Sequence, residues 1–284
     1  MIHGHRIVAI TPSGRRRFME VLARYVLREM RRGLVDEWFV YDNCYNQEDS
    51  AYTRALAEHP GVRVVGDPGV PPERRNTGHI HLMYPHLTDP DCIYIRLDDD
   101  ICYLDPDAIV RLVEGRILHE KAFLVYPTIF NNTRMSYMLQ RDAILPAKPE
   151  ITNHFLDPIA WRSGDWAARV HDVALPAARE QSLHRLALSS RTFGTRHGIG
   201  ALDPAHGEGR ISVNAFAIWG RDMVQCQVTP DEEGYLADKR PRQLERGNAV
   251  AFGSAVVHFS YHCQPGLEER GYLDRYRELS VAQG

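Results

Sequence analysis

The sequence has few cysteines, no long apolar run and little net charge, and each scarcity removes a class of protein. Its five cysteines (Cys44, Cys92, Cys102, Cys226, Cys263) are scattered, odd in number and never in C-x-x-C spacing. That pattern builds neither a disulfide framework nor a structural zinc site, and it fits a reducing cytoplasm. No apolar stretch approaches the roughly 20 residues of a membrane-spanning helix. The opening Met1-Ile2-His3-Gly4-His5-Arg6 lacks the apolar core of a signal peptide. A net charge of −3 provides no global field for nucleic acid or an anionic membrane. No G-x-G-x-x-G follows the first apolar run, which disfavours a dinucleotide cofactor, and no G-x-x-x-x-G-K-[ST] is present, which removes the P-loop enzymes. Internal repeats and low-complexity segments are also absent.

What remains is an ordinary globular composition, 44% apolar and 25% charged, in 284 residues. That is enough chain for one large or two small domains with a sizeable core. The first half alternates strand and helix. Arg6 to Thr11 is a β-branched run broken by Pro12-Ser13-Gly14. Arg15 to Arg32 then has helical apolar spacing, with Gly33 as its C-cap. The many arginines of this helix, Arg15, Arg16 and Arg17 among them, read as a solvated face. Glu37 to Tyr41 is a second strand, Gln47 to His59 a helix, and Val62 to Gly66 a third strand. Arg74-Arg75-Asn76-Thr77-Gly78 opens a further helix through His86. After the strand at 93–97 come a helix from about Pro106 to Leu118 and a strand at Phe123–Tyr126. Such alternation predicts a parallel sheet with right-handed crossovers. Ligands bind such sheets beyond the carboxyl ends of the strands, where Thr11, Asp42, Asp67 and Asp98–Asp100 fall.

The strand Ile93 to Leu97 runs directly into Asp98-Asp99-Asp100. Three adjacent carboxylates repel one another and need a positive partner. Hard cations such as Mn²⁺ and Mg²⁺ take one or two carboxylates from the protein and complete their shell with water and phosphate oxygens. In an extended segment Asp98 and Asp100 would share one face and Asp99 would point to the other. The alternative is a solvated acidic turn, with Asp105 capping the next helix. A calcium loop is excluded because Tyr103 stands where that loop requires glycine.

From Asn131 to Gly209 the periodicity weakens, and Pro146–Pro149 and Gly194–Gly209 read as loops. The histidines here (His154, His171, His184, His197, His206) are irregularly spaced and read as surface and loop residues. Trp161 and Trp166 either stack on sugar faces or fill a core. Arg210 to Trp219 reads as a strand, Asp231-Glu232-Glu233 as a carboxylate cluster before a short helix, and Ala249 to Tyr261 as a strand-rich segment carrying His258.

The strand RIVAITP, the strand end YDN, the Arg75-Asn76-Thr77-Gly78 helix start and IRLDDDICYLDP together resemble the glycosyltransferases of the GT-A fold. The resemblance spans residues 6–130 and returns at 210–265. It implies an α/β fold whose Rossmann-like half carries a mostly parallel central sheet. Residues 1–130 would form the nucleotide-sugar-binding half, and 131–284 the acceptor-binding and catalytic half of one continuous domain. It implies a nucleotide-diphosphate sugar donor held by Thr11, Asp42, Arg75, Asp98 and Asp99, with Asp42 at the base and Arg75 at the phosphate. Mn²⁺ or Mg²⁺ would sit on Asp98, Asp100 and His258. Glu232-Glu233-Gly234-Tyr235-Leu236 is similar to the element that deprotonates the acceptor in inverting members, so Glu233, with Glu232 and Asp231 as alternatives, would be the base. The acceptor would be a carbohydrate or glycolipid in surface-polysaccharide or glycolipid assembly. The expected location is the cytoplasm, including the inner face of the membrane. Two rivals stand beside it. One is a sugar-phosphate nucleotidyltransferase, of whose glycine-rich loop Pro12-Ser13-Gly14-Arg15 is a poor version. The other is a binding module that has lost its chemistry.

Overall fold

The computed structural model describes every residue except 68, 190–198 and 203–209, and for 199–202 it describes the backbone alone. The expected loop at 194–209, with His197 and His206, therefore lies outside the described residues apart from that backbone.

The β-branched runs form one mixed sheet of nine strands. They are β1 (Arg6–Ser13), β2 (Glu37–Asp42), β3 (Val62–Gly66), β4 (Cys92–Leu97), β5 (Ile101–Leu104), β6 (Val125–Phe130), β7 (Ile199–Leu202), β8 (Ala215–Trp219) and β9 (Asn248–His258). The order is β3-β2-β1-β4-β8-β6-β9-β5, with β7 also on β9. Strands β3, β2, β1 and β4 pair in parallel, β8 enters antiparallel between β4 and β6, and β6 and β9 are again parallel. Central strands of this kind are covered on both faces, and β1, from Ile7 to Ser13, and all of β4 are indeed buried. Helix α1 (Arg16–Arg31) lays Phe18, Val21, Leu22, Tyr25 and Val26 onto the sheet, and Gly33 adopts the left-handed φ of +71° that ends it. The α/β class and the parallel pairing of the first four strands of the sheet match expectation. The sheet runs unbroken across residue 130, because β8 pairs with β4.

Several elements differ from the sequence expectation. The helix expected from Arg74 to His86 is two 3₁₀ segments, Pro72–Arg74 and Thr77–His86, for which Gly78 and the internal Pro85 give the local reason. Strand β6 begins and ends later than the expected 123–126, and β8 covers only the second half of 210–219. Strand β5 was hidden inside the acidic motif's flank. Asp98 O accepts from Ile101 N at 3.1 Å, so the three aspartates form a tight turn rather than an extended end. The second half is also far more helical than its weak periodicity predicts. It contains α2 (Thr133–Arg141), α3 (Pro158–Arg162) and α4 (Gly164–Arg179), capped by Asn132, Asp157 and Ser163. Trp166 is buried in α4 and donates to Ser136 Oγ, so it is core; Trp161 is half-buried.

Candidate active site

The Asp98–Ile101 turn puts three side chains in three directions at the head of a cleft of about 550 Å³. Pro12, Gly14, Arg15, Asn43, Tyr45 and Thr77 line one side of the cleft, and Asn214, His258, Tyr261 and Gln264 the other. Asp99 turns toward the start of α1, where its Oδ2 accepts from Gly14 N at 2.9 Å and Arg15 N at 2.8 Å. Asp98 turns the other way, with Oδ1 2.7 Å from Arg96 Nη2 and Oδ2 3.3 Å from Asn214 Nδ2. Asp100 faces His258, whose Nε2 stands 3.4 Å from Oδ2. The expected arrangement, Asp98 and Asp100 on one face and Asp99 opposite, belongs to an extended strand and is replaced by this turn.

His258 ends β9, and its ring is fixed from behind. Nδ1 lies 3.0 Å from the carbonyl of Asn131, which can only accept, so that nitrogen carries the proton. Asn131 holds this carbonyl in place from a left-handed φ of +61°, tied through its side chain to Phe259 O and Gln264. The neutral ring then presents a bare Nε2 to the Asp100 carboxylate. Two acceptors facing each other require a proton or a cation between them. Burial alone would push the imidazole's pKa down, but Asp100 and the Asn131 carbonyl hold it above its ordinary value. Asp100 is opposed by burial yet held below the usual carboxylate range by His258 and Arg15. Burial, reinforced by Asp100 and opposed by Arg96, pushes Asp98 up to about 7.

No family model matches the chain, and no curated protein matches it. Among solved structures, a mycobacterial protein superposes with a TM-score of 0.50 at 17% identity, covering 98% of this chain and 74% of that one. A CMP:2-keto-3-deoxy-manno-octonic acid synthetase complexed with CTP matches with a TM-score of 0.44 at 12% identity, over 98% of this chain and 100% of that one. A glucosyl-3-phosphoglycerate synthase from Mycobacterium tuberculosis, in complex with Mn²⁺, UDP-glucose and phosphoglyceric acid, matches with a TM-score of 0.36 at 20% identity, over 63% of this chain and 67% of that one. The chain has a GT-A-like fold. At these identities the likeness concerns the fold alone.

The cleft lies at the carboxyl ends of β1, β2 and β4, where open α/β sheets bind their ligands. Not every expected site residue reaches it. Thr11 is buried and its hydroxyl accepts from Trp38 Nε1. Asp42 is spent inside the protein, on Arg75 Nη1 at 2.9 Å, Ser50 Oγ at 2.6 Å and Arg54 Nε at 3.1 Å. Arg75 is correspondingly a buried counter-ion to Asp42 rather than an open donor. The side chain next to Asp42 does line the cleft. Asn43 gives its Nδ2 to Asn76 O at 3.1 Å, and its Oδ1 has no partner among the described residues.

The acidic element after β8 separates its three carboxylates. Asp231 caps its own turn through Gly234 N. Glu232 is a buried counter-ion to Arg96, and Tyr84 also bonds it. Glu233 is half-exposed, 3.5 Å from Arg210, and its pKa is raised by burial against the pull of Arg210. Glu233 is not among the residues that line the cleft.

Among the described residues no three His, Cys, Asp or Glu side chains form a ready-made metal cage. Of the expected trio Asp98, Asp100 and His258, the last two meet and Asp98 is drawn to Arg96. The pair nonetheless fits a hard divalent ion. Asp100 Oδ1 is a buried carboxylate oxygen without a partner among the described residues, and His258 Nε2 is aimed at the same carboxylate. Sequence reasoning missed Arg15, Asn131, Asn214 and Gln264, whose roles exist only through contacts 80 or more residues away in the chain.

Proposed function

We propose that this protein is a metal-dependent glycosyltransferase that moves a sugar from a nucleotide-diphosphate sugar to an acceptor hydroxyl, with a carbohydrate or glycolipid as acceptor. The observation that carries it is the pairing of Asp100 and His258 at the head of the cleft, with a partnerless carboxylate oxygen and an imidazole nitrogen turned toward the same carboxylate. Mn²⁺ or Mg²⁺ held there would offset the charge that develops on the departing nucleoside diphosphate. Two protein ligands suffice for such an ion, since diphosphate and water complete its shell. Asn43, which lines the cleft with a partnerless amide oxygen, supports a base-binding role on its β2 side. Glu233 is the carboxylate of its cluster that is not committed to a cap or a buried ion pair, and its raised pKa suits proton acceptance from the acceptor. Asp98 and Arg96 orient the turn rather than touch the sugar.

The test is to incubate the protein with Mn²⁺ and a panel of nucleotide sugars and follow release of the nucleoside diphosphate. Release in Mn²⁺ and none in chelator supports transfer. Release of pyrophosphate from a nucleoside triphosphate and a sugar phosphate would establish nucleotidyl transfer instead. Binding of neither class would leave a fold without this chemistry.

A further inference from the structure

The carboxylates at the head of the cleft are already neutralised from within the chain. Arg15 Nη2 lies 2.6 Å from Asp99 Oδ1 and 2.7 Å from Asp100 Oδ2. One guanidinium therefore bridges two adjacent carboxylates. It does so on the Asp100 oxygen that faces His258. A divalent ion seated between Asp100 and His258 meets a resident positive charge on an oxygen it needs, and two cations a few ångströms apart repel strongly in a part-buried site.

Three features make that guanidinium removable. Asp99 keeps the backbone donors Gly14 N and Arg15 N when the side chain leaves. Asp100 keeps His258. The Arg15 side chain is 28% exposed, lines the cleft and rests over the Phe18 ring at 4.6 Å, so it can swing into the cleft without moving α1. We propose that Arg15 is an exchangeable counter-cation of the metal site. It neutralises Asp99 and Asp100 while the site lacks a divalent ion, and it leaves Asp100 when that ion binds. Metal affinity is then set by competition between the two. This rests on the reading of Asp100 and His258 as a cation site, and it makes Arg15 a positioning residue rather than a catalytic one.

The test uses Mn²⁺ alone, titrated by calorimetry at fixed pH into the wild-type protein, Arg15→Met and Arg15→Lys. Arg15→Met is expected to bind Mn²⁺ at least about tenfold more tightly, because the competitor is gone and both carboxylates stay positioned. Arg15→Lys is expected to fall between the two, since a single ammonium cannot bridge both carboxylates as the planar fork does. In chelator Arg15→Met should melt below the wild type, and saturating Mn²⁺ should narrow that gap. A merely structural arginine would lower the melting temperature without tightening metal binding. Should Arg15→Met fail to fold cooperatively, the lysine variant carries the test alone. Equal or weaker Mn²⁺ binding in the variants overturns the exchange and leaves the cation site standing. No binding by any of the three proteins overturns both.

Discussion

Nε2 of His258 and Oδ2 of Asp100 face each other at 3.4 Å, and the ring is turned that way because its Nδ1 donates to the carbonyl of Asn131. The end of β9 and the turn that leads into β5, its neighbour in the sheet, thus bring the imidazole and the carboxylate to one point. The carboxylate favours a proton on the ring, so Asp100 raises the imidazole pKa despite burial.

That proton gives the first prediction. A histidine whose folded pKa lies above its unfolded value contributes stability that is complete below about pH 6.5 and is lost as pH rises through the folded pKa. Mn²⁺ must displace the same proton, so its affinity should climb by up to about tenfold per pH unit below the folded pKa and level off above it. Calorimetry between pH 6 and 8 checks this, and His258→Gln should show weak binding with much of the slope removed. A flat wild-type profile would separate His258 from the cation.

The second concerns Asn131. Its left-handed φ of +61° is tolerated by asparagine, while alanine there costs on the order of 1–2 kcal/mol. Asn131→Gly keeps the conformation that aims the carbonyl at His258, although it loses the ties to Phe259 and Gln264. We therefore expect Asn131→Gly to be the more stable variant in denaturant unfolding. It should also keep more Mn²⁺ affinity than Asn131→Ala, in which misorientation of the ligand's partner should cost roughly 10–100-fold. Equal losses would assign the ring's position to the asparagine side chain.

The third separates neighbours in the acidic turn. Asp99 pins Gly14 and Arg15 at the entry to α1 through a nearly buried carboxylate. Asp99→Asn should cost about 1–3 kcal/mol of folding stability. It should change Mn²⁺ affinity far less than Asp100→Asn, which removes one of two protein ligands. Denaturant unfolding and calorimetry on both variants decide it, and the reverse ranking would move the cation to Asp99.

Most strands were legible because β1 to β4 and β9 are rich in β-branched and aromatic residues and are bounded by polar or turn residues. Strand β5 was not, because Ile101–Leu104 is four residues long and joined to β4 by a turn made entirely of aspartate. Helix α4 hid behind alanines, Gly164 and Pro176, which weaken an apolar stripe that Trp166, Val170 and Ala174 complete only on packing. The acidic motif itself could be read, and so could His258 at the end of its strand. Which carboxylates meet which cations could not: Arg15 looked like one more arginine on a solvated helix face, and Asp42 looked open until Arg75, Ser50 and Arg54 closed around it.

The last prediction is that Glu233→Gln lowers turnover with little change in Mn²⁺ or donor affinity. Glu232 is committed to Arg96 and Tyr84, and Asp231 to its own turn, so Glu233 is the carboxylate of the three with oxygens to spare. Burial raises its pKa even with Arg210 beside it, and a more basic carboxylate takes a proton more readily. Glutamine keeps the shape but cannot accept the proton of the acceptor hydroxyl. A general base contributes about 10²–10⁴-fold, and an interaction made only in the transition state lowers kcat and kcat/KM together. Steady-state kinetics with donor and acceptor varied separately reads both. A fall in donor affinity of similar size would move Glu233 into the nucleotide subsite, and near-normal turnover would remove it from the chemistry.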